Sequence, residues 1–297
     1  MSLVIKELLQ MSERILADSH CLDPKIDAEL LFCHLFSLDK TQLFLKKPTT
    51  LDEKSCQEFF KLIEQRSSGV PTQYIIGTQE FMGLTFKVDE NVLIPRQDTE
   101  TLVEKIILDI KDERTGKTMK KKKKILDLGC GSGAIGISLA KVVPDISVLA
   151  VDVSDKALEV AKQNAMKNRV QNSMKFLQSD MFSQLKTGHF GQKFDVIVSN
   201  PPYIPTRHIP ILQREVKEHE PLLALDGGED GLDFYRKIAE NGGKFLKKKG
   251  TLYLEIGYDQ GEDVAELLGK EGHYSDIELI KDLAGLDRVV KCKKVLD

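Results

Sequence analysis

The sequence lacks both an excess of positive charge and any long apolar run, and these absences restrict its possible partners. Its 297 residues contain 43 Lys and Arg against 46 Asp and Glu, so the formal net charge at pH 7 is −3. Such a balance argues against a strongly cationic nucleic-acid binder. No stretch approaches the roughly 18 consecutive apolar residues of a membrane-spanning helix. We therefore expect a soluble protein with no membrane partner and no direct contact with nucleic acid.

Patterns typical of disulfides and metal sites are also absent from the sequence. The cysteines are odd in number, widely scattered and free of any C-x-x-C pair. His189, His208, His219 and His273 share no spacing typical of metal ligands. We therefore expect no metal, and thiols that stay reduced in the cytoplasm. The five cysteines are Cys21, Cys33, Cys56, Cys130 and Cys292.

The apolar pattern changes along the chain and predicts three parts. Residues 1–70 show only helical periodicity, and Glu7 and Glu13 in the opening stretch favour a domain helix over a targeting peptide. Residues 71–95 alternate between apolar and polar side chains, which predicts a β-hairpin linker. Residues 96–297 begin with a helix and then alternate between short apolar strands and helices.

This alternation of strands and helices indicates an α/β fold. Successive βαβ units place parallel strands in one sheet with helices on both faces. The final stretch, SDIELIKDLAGLDRVVKCKKVLD, reads as two strands joined by a turn, which predicts an antiparallel edge. The lysine run at 120–124 is interpreted as a solvated loop. The predicted fold is a Rossmann-like, mostly parallel sheet that follows a small helical bundle and a β-hairpin linker.

A glycine-rich turn, DLGCGSG (Asp127–Gly133), lies between a predicted strand and a predicted helix. Glycines at such a turn let a ligand lie against bare backbone, and the N–H groups of the helix point at that ligand. The next strand ends at Asp152, where dinucleotide-binding folds use a carboxylate to receive ribose hydroxyls. This context favours an adenosyl cofactor.

The charge and the glycine spacing of the turn favour S-adenosylmethionine over NAD as the cofactor. The G-x-G-x-G spacing differs from the G-x-G-x-x-G of NAD sites, and Asp127 would repel a pyrophosphate. The cationic sulfonium of S-adenosylmethionine suits Asp127 instead. Asp180, after the third strand, is predicted to receive the adenine amino group beside Met181, although an ordinary helix cap is an equally good interpretation. The predicted cofactor-binding residues are Asp127, Gly129, Cys130, Gly131, Ser132, Gly133, Asp152, Asp180, Met181 and Asn200.

The stretch VIVSNPPYIP (Val196–Pro205) ends a buried strand with an amide, two prolines and a tyrosine. Proline cannot donate to a sheet ladder, so Pro201 and Pro202 end the strand. DLGCGSG, AVD and SNPPY in this order resemble the class I S-adenosylmethionine-dependent methyltransferases that carry an (N/D)PP(Y/F) motif. The resemblance implies methylation of a nitrogen conjugated to a carbonyl or a ring, as in adenine, cytosine or a glutamine side chain.

The residue types in this motif suit the chemistry of such a nitrogen, which is a poor nucleophile because its lone pair is delocalised. The Asn200 side-chain oxygen and a neighbouring backbone carbonyl can each accept one N–H of the target NH2 group. Two acceptors direct the lone pair at the methyl group and favour the more positive nitrogen of the transition state. Pro201 and Pro202 make the backbone rigid and free of donors, and Tyr203 packs against a planar group. These four are the predicted catalytic and substrate-binding residues.

Four further stretches resemble the release factor glutamine methyltransferases of the PrmC or HemK type, and the resemblance covers essentially the whole chain. It implies that the substrate is the glutamine of the Gly-Gly-Gln tripeptide in class 1 peptide chain release factors. The products would be N(5)-methylglutamine and S-adenosylhomocysteine, with no metal involved. The stretches are IPRQDTE at 94–100, EPLLALDGGEDGLDFY at 220–235, EIGYDQG at 255–261 and DLAGLDRVV at 282–290.

Residue by residue, the resemblance assigns Gly129–Gly133, Asp152 and Met181 to the cofactor and Asn200–Tyr203 to the substrate. Leu286 stands where the family more often has a polar or basic residue. This difference affects only the contacts around Leu286 and not the assigned function. Because every catalytic motif lies C-terminal to Arg96, residues 1–70 are predicted to recognise the protein substrate.

Two other functions stay open on the residues alone. An adenine-specific DNA methyltransferase can use the same tetrapeptide, but it must flip a base and usually carries a basic region that reads DNA. The acidic balance of this chain and its lack of tryptophan argue against that function. A catalytically silent cofactor-binding module is the second alternative, and the intact Asn200, Pro201 and Pro202 argue against it.

Overall fold

The computed structural model of the protein describes residues 2–47, 49–114, 122–185 and 193–295. Part of the predicted lysine loop, Lys120 and Lys121, lies outside the described residues, as does His189. The prediction is wrong for Lys123 and Lys124, which are half-buried and begin the strand Lys123–Leu128, because their backbones pair with a neighbouring strand. Within the described ranges, no helix combines the length and the apolar character needed to cross a membrane.

One unit is a helical bundle formed by the chain up to Thr78 together with the later segment Leu212–His219. Its core contains large side chains that are fully removed from solvent, among them Leu8, Leu31 and Phe59. Burying such side chains contributes roughly 1.5–3 kcal/mol each, which holds these short helices together. The elements in chain order are β1 Leu3–Val4, α1 Ile5–Asp18, α2 Pro24–Phe36, α3 Lys40–Lys46, β2 Thr50–Leu51, α4 Glu53–Ser67 and α5 Thr72–Ile76.

Two local features of this unit differ from the sequence prediction. The two-residue strands β1 and β2 pair antiparallel, with Leu3 opposite Leu51, whereas periodicity predicted helices only. Residues Thr72–Ile76 form α5, although the alternation at 71–95 predicted strand there. Elements of two to five residues are too short for a periodic pattern to identify.

A buried ion-pair network holds the segment Leu212–His219 in this unit. The guanidinium of Arg66 donates to Asp27 at 2.7 Å and also pairs with Glu215 at 2.5 Å. The Thr72 hydroxyl donates to the second oxygen of Asp27 at 2.7 Å. Charges are tolerated in a core only when they are paired in this way.

The other unit contains Gln79–Ile211 and the chain from Glu220 onward. It begins with a two-strand hairpin whose turn residues, Met82 and Gly83, have φ of 51° and 69°. Positive φ at both positions is the backbone geometry that matches the twist of paired strands.

The elements that follow α5 in the chain alternate mostly between strands and helices. They are β3 Thr78–Phe81, β4 Leu84–Lys87, α6 Asp98–Arg114, β5 Lys123–Leu128, α7 Ala134–Val142, β6 Ile146–Asp152, α8 Asp155–Lys167, β7 Met174–Gln178, β8 Phe194–Ser199, α9 Arg214–His219, α10 Asp233–Phe245, β9 Leu246–Glu255, α11 Gly261–Lys270, β10 Tyr274–Lys281 and β11 Asp287–Lys294. Short 3-10 helices occupy Gln171–Ser173, Thr206–Ile211 and Leu222–Ala224.

Seven strands of this unit form one sheet in the order β10-β11-β9-β8-β5-β6-β7. The pairs from β9 through β8, β5 and β6 to β7 are parallel, whereas β11 is antiparallel to both β9 and β10. The predicted α/β fold with a mostly parallel sheet and an antiparallel edge is therefore confirmed. Because the carboxyl ends of parallel strands meet at one edge, the loops after β5, β6, β7, β8 and β9 converge there.

Alternate residues of each strand supply two apolar cores on opposite faces of the sheet. Ile125 packs in the core that also holds the hairpin and helices α6, α7 and α8. Leu126 packs in the core formed with α10 and α11. Because side chains alternate between the two faces along each strand, this period also determines on which face of the sheet a polar side chain at the end of a strand lies.

Candidate active site at the carboxyl edge of the sheet

The turn between β5 and α7 is formed by Gly129–Gly133, which we call the glycine loop. Gly129, Gly131 and Gly133 have φ of 67°, 52° and 80°, a region that other residues rarely adopt. A Cβ on Gly129 or Gly131 would meet nothing within 4 Å, whereas on Gly133 it would lie 2.8 Å from Ile137 Cδ1. The first two glycines thus border open space where a ligand can lie, and the third permits close helix packing.

Asp152, at the end of β6, is fixed against the glycine loop. Its Oδ2 accepts the N–H of Gly131 at 2.8 Å, and its Oδ1 accepts the N–H of Ser154 at 2.9 Å. Burial raises the pKa of this carboxyl above its usual value. Each carboxylate oxygen has a second lone pair, so Asp152 can also receive hydroxyl groups of a ligand.

Asp127 lies fully buried beneath the loop, on the same face of the sheet as Ile125. Its Oδ2 accepts the N–H of Gly136 at 3.0 Å, and a Cβ on Gly136 would lie only 2.8 Å from that oxygen. Burial raises the pKa of Asp127 to about 7, and the charge of Asp152 adds to the effect. The side chain therefore braces the start of α7, and it is mostly ionised only above about pH 7.

The remaining loop residues are held mainly through their backbones. The N–H of Cys130 donates to Val151 O at 2.9 Å, and its carbonyl accepts the N–H of Gly133 at 2.8 Å. Burial raises the pKa of the Cys130 thiol well above its ordinary value. The Ser132 carbonyl accepts from the buried amide of Asn164 at 2.9 Å.

Asn164 links the glycine loop to the hairpin, and the sequence analysis missed it. Besides Ser132, its amide nitrogen donates to the Lys87 carbonyl at 3.0 Å, and its oxygen accepts the Lys87 N–H at 2.6 Å. An available signal was a polar residue at helical spacing from the apolar Val160 and Ala161 on the inner side of α8.

Asp180 and Met181 follow β7, the neighbour of β6. Asp180 is exposed, and a turn rather than a helix follows it at 181–184, so it caps no helix. Met181 is half-buried with φ of 48°, and its carbonyl accepts from the Ser179 hydroxyl at 3.0 Å. The Ser179 N–H donates to Asp152 O at 2.9 Å, which ties this turn to the end of β6.

The SNPPY segment, Ser199–Tyr203, leaves β8 next to the glycine loop. Leu128 of β5 and Ser199 of β8 are register partners, and the Ser199 hydroxyl donates to Leu128 O at 2.8 Å. Gly129 and Asn200 are therefore the next residues on two adjacent strands, whose separation in a sheet is about 4.8 Å. Pro201 is buried and Pro202 is half-buried.

A second segment, Leu225–Gly231, braces the SNPPY segment, and we call it the bracing segment. The N–H of Ile204 donates to Leu225 O at 3.0 Å, and its carbonyl accepts the Gly227 N–H at 2.9 Å. A Cβ on Gly227 would lie 2.8 Å from the backbone of Tyr203, and one on Gly231 would lie 2.4 Å from Tyr203 O. These glycines are required because the two backbones touch.

Gln260 completes this support from the loop after β9. Its Nε2 donates to Tyr203 O at 3.0 Å and to Gly231 O at 3.3 Å, while its Oε1 accepts the Gly257 N–H at 3.0 Å. Burial raises the pKa of Tyr203 to about 12, so its phenol stays neutral. Sequence reasoning quoted EIGYDQG only for its resemblance and did not predict this contact.

A buried polar cluster lies beside Asn200, and it too was missed. The Asn200 amide nitrogen donates to Thr99 Oγ1 at 3.3 Å. Burial raises the pKa of Glu255 to about 7, an effect opposed by hydrogen bonding to Thr99, by the charge of Arg288 and by hydrogen bonding to Asn200. Arg288 is held by Asp282 at 3.1 Å. The available signal was one carboxylate in the otherwise apolar strand TLYLEIG.

Three buried or half-buried carboxyls, Asp127, Asp152 and Glu255, lie at or near the carboxyl ends of β5, β6 and β9. No group of three or more metal-ligating side chains occurs in the part of the chain that the structure describes. An edge rich in carboxylates and bare glycine backbone suits an organic cation better than a phosphate.

Comparison with known proteins gives matches over almost the full length. Models of the PrmC N-terminal domain and of the methyltransferase small domain match residues 7–77 and 114–229. The release factor glutamine methyltransferase of Clostridium botulinum is 38% identical over 292 residues, covering 98% of this chain and 100% of that protein. That of Clostridium acetobutylicum is 41% identical over 264 residues, covering 89% of both.

A solved structure shares the fold at low sequence identity. The human methyltransferase 10 domain containing protein aligns with a TM-score of 0.53 and 16% identity, covering 80% of this chain and 98% of that one. This likeness concerns the fold alone.

Proposed function

Because the chain belongs to the family of release factor glutamine methyltransferases, we propose that it methylates the side-chain amide nitrogen of the Gly-Gly-Gln glutamine in class 1 release factors. S-adenosylmethionine is the methyl donor, and it supplies an electrophilic methyl group on a positively charged sulfur. The observation that carries the proposal is the register of β5 and β8, which starts the glycine loop and the SNPPY segment side by side. We expect this reaction to occur in the cytoplasm.

The residues of the glycine loop fit this donor. Open space above Gly129 and Gly131 would accommodate the amino-acid part, and Asp152 would hold the ribose hydroxyls. Asp180 and Met181, after the neighbouring strand, would contact the adenine. Asp127 would brace the loop from below rather than contact the donor, because it is fully buried under α7.

The SNPPY segment would hold the glutamine amide. Asn200 Oδ1 and a backbone carbonyl beside it would each accept one N–H of the target, and Pro201 and Pro202 offer no competing N–H. Tyr203, neutral and braced by Gln260, would pack against the planar amide. No general base is required, since the methylated amide nitrogen is strongly acidic and can release its proton to water.

A labelling experiment tests the proposed function. Protein and tritiated S-adenosylmethionine are incubated separately with release factor, with release factor in which the tripeptide glutamine is replaced by alanine, and with unmethylated DNA. We expect label only in the unaltered release factor. Label on DNA would favour the adenine methyltransferase instead, and label on neither substrate would favour a silent cofactor-binding module.

Replacing Asp152 by alanine should weaken binding of S-adenosylmethionine by roughly 1.5–3 kcal/mol, because a charged acceptor for hydroxyl groups is lost. Calorimetric titration measures the change. Asp155→Ala is the matched control, since Asp155 is an exposed carboxylate at the start of α8. Equal dissociation constants for the two variants would remove Asp152 from the cofactor site.

We also propose that the helical unit recognises the release factor, because it contains none of the proposed catalytic residues. Phe44 and Leu45 on α3 are 70% and 71% exposed, as a docking surface requires. Changing both to serine should lower kcat/KM for the whole release factor by about 10-fold and leave cofactor affinity unchanged. Leu108→Ser, at an exposed leucine of α6, is the control in steady-state assays. Identical kcat/KM values would assign the unit another role.

A further inference from the structure

Glu255 and Asn200 occupy equivalent positions on adjacent parallel strands. Ser199 of β8 is the register partner of Leu254 of β9, so the next residues along the two strands are Asn200 and Glu255. Glu255 is buried, and its Oε2 has no hydrogen-bond partner among the described residues. A buried carboxyl in that condition is costly and requires an explanation.

The hydrogen bonds around Asn200 involve one end of its carboxamide. Its Nδ2 donates to Thr99 Oγ1 at 3.3 Å, and hydrogen bonding with Thr99 and with Asn200 lowers the pKa of Glu255. A carboxamide has nearly the same shape when its oxygen and nitrogen are exchanged, so partners rather than packing fix its orientation. An ionised carboxylate only accepts hydrogen bonds, and it therefore selects the orientation in which Nδ2 faces it.

We propose that Glu255 is a positioning residue, which holds Nδ2 of Asn200 and thereby directs Oδ1 at the substrate amide. The proposal deepens the function given above and rests on it. With Nδ2 engaged by Thr99 and Glu255, the acceptor end of Asn200 is the end that the glutamine meets. Orientation of this acceptor matters for turnover, because the rate depends on where the target nitrogen directs its lone pair.

The charged and titratable groups around Glu255 make this orientation dependent on pH. Arg288 on β11 lowers its pKa and Asp98 on α6 raises it, but burial dominates and leaves the pKa at about 7. Burial also raises the pKa values of the Tyr203 and Tyr235 phenols, so both stay neutral in this range.

Below pH 7 the protonated carboxyl can donate to Oδ1 and so loses its preference for Nδ2. Turnover is therefore expected to rise with pH and to level off above about 7. Asp127 titrates in the same pH range. The part of the pH dependence of turnover that is due to Glu255 is therefore the difference between the pH profiles of the wild-type protein and of Glu255→Gln, both measured at saturating cofactor.

The test compares Glu255→Gln with Asp109→Asn. Glutamine keeps the shape but can donate to Oδ1, so we expect single-turnover methylation of release factor to fall by about 10–100-fold. Cofactor affinity should stay within about 2-fold, and the thermal midpoint at pH 8 should not fall, because a buried charge is removed. Asp109 bonds Tyr253 of the same strand at 2.7 Å, and its variant should lose stability without losing turnover.

A second measurement does not depend on any substrate. The side-chain amide resonances of Asn200, assigned by their loss in Asn200→Ala, should titrate near pH 7 in the wild-type protein and not in Glu255→Gln. Unchanged turnover together with an unchanged Asn200 titration would overturn the proposal, as would a loss of turnover matched by a loss of thermal stability. If the wild-type protein methylates no release factor, the proposed function fails, and the Asn200 titration still decides whether Glu255 orients this amide.

Discussion

Replacing Asn200 by alanine is expected to lower single-turnover methylation by about 10²–10³-fold, the effect of removing one positioned transition-state acceptor. The target amide would then be free to rotate its lone pair away from the methyl group. Cofactor affinity should change much less, because Asn200 is proposed to hold mainly the substrate. Rapid-quench methylation of a release factor and calorimetric titration of the cofactor measure the two quantities. Near-normal turnover would reduce the SNPPY segment to a strand-ending turn.

Asn200→Asp provides the companion variant, and the surroundings of Asn200 change what to expect of it. An aspartate retains an acceptor oxygen, and the (N/D)PP(Y/F) motif allows it at this position. Next to Glu255, however, the introduced carboxylate would face a second carboxyl, and like charges raise the pKa of one of them. A shared proton can bridge the pair at low pH, so this variant should be most active below pH 7 and lose activity as pH rises. A rate that rises with pH would contradict this expectation.

The parts of the site that could be predicted from the sequence are local. Strand, glycine turn and helix follow one another within Lys123–Val142, and the prolines of the SNPPY segment end their own strand. Such features depend on near neighbours, so composition and spacing reveal them. The alternation of elements likewise predicted a parallel sheet, and the terminal pair of strands predicted its antiparallel edge.

The contacts that support the site depend on distant residues, and the sequence could not reveal them. The contact of Glu255 with Asn200 depends on the register of β9 against β8, and Thr99 arrives from α6, 101 residues before Asn200. Strand alternation places Asp127 on the face covered by α7, a consequence that adjacency to the glycine loop did not indicate. The segment Leu212–His219 joins the helical bundle through Glu215 and Arg66, which are far apart in the chain.

The stretches quoted for their family resemblance gain a physical meaning from these contacts. EPLLALDGGEDGLDFY contains the bracing segment, and EIGYDQG contains both Glu255 and Gln260. DLAGLDRVV supplies Arg288, which lowers the pKa of Glu255. None of these segments needs to contact substrate to matter, since each fixes the position of Asn200 or Tyr203. Rigid support of this kind holds the reacting groups close to their productive geometry, and small displacements from that geometry lower the reaction rate.

Replacing Gly231 by alanine should therefore lower turnover by about 10²-fold, although Gly231 contributes no reacting group. Its Cβ would lie 2.4 Å from Tyr203 O and 2.8 Å from Gln260 Nε2, so the SNPPY segment or its support must shift. Cofactor affinity should be retained, because the glycine loop does not contact Gly231 through any described hydrogen bond. Single-turnover methylation and calorimetric titration measure both quantities.

A matched glycine separates this steric effect from backbone strain. Gly231 has φ of 80° and Gly272, in the turn between α11 and β10, has φ of 70°. Alanine at either position adopts a left-handed backbone at a cost of about 1–2 kcal/mol, but a Cβ on Gly272 meets nothing within 4 Å. Gly231→Ala should thus lose more stability than Gly272→Ala in urea titrations, because its Cβ also meets the Tyr203 backbone, and only Gly231→Ala should lose turnover. Equal turnover in the two variants would show that the close approach of Gly231 to Tyr203 does not position the substrate, since strain alone would then account for every effect.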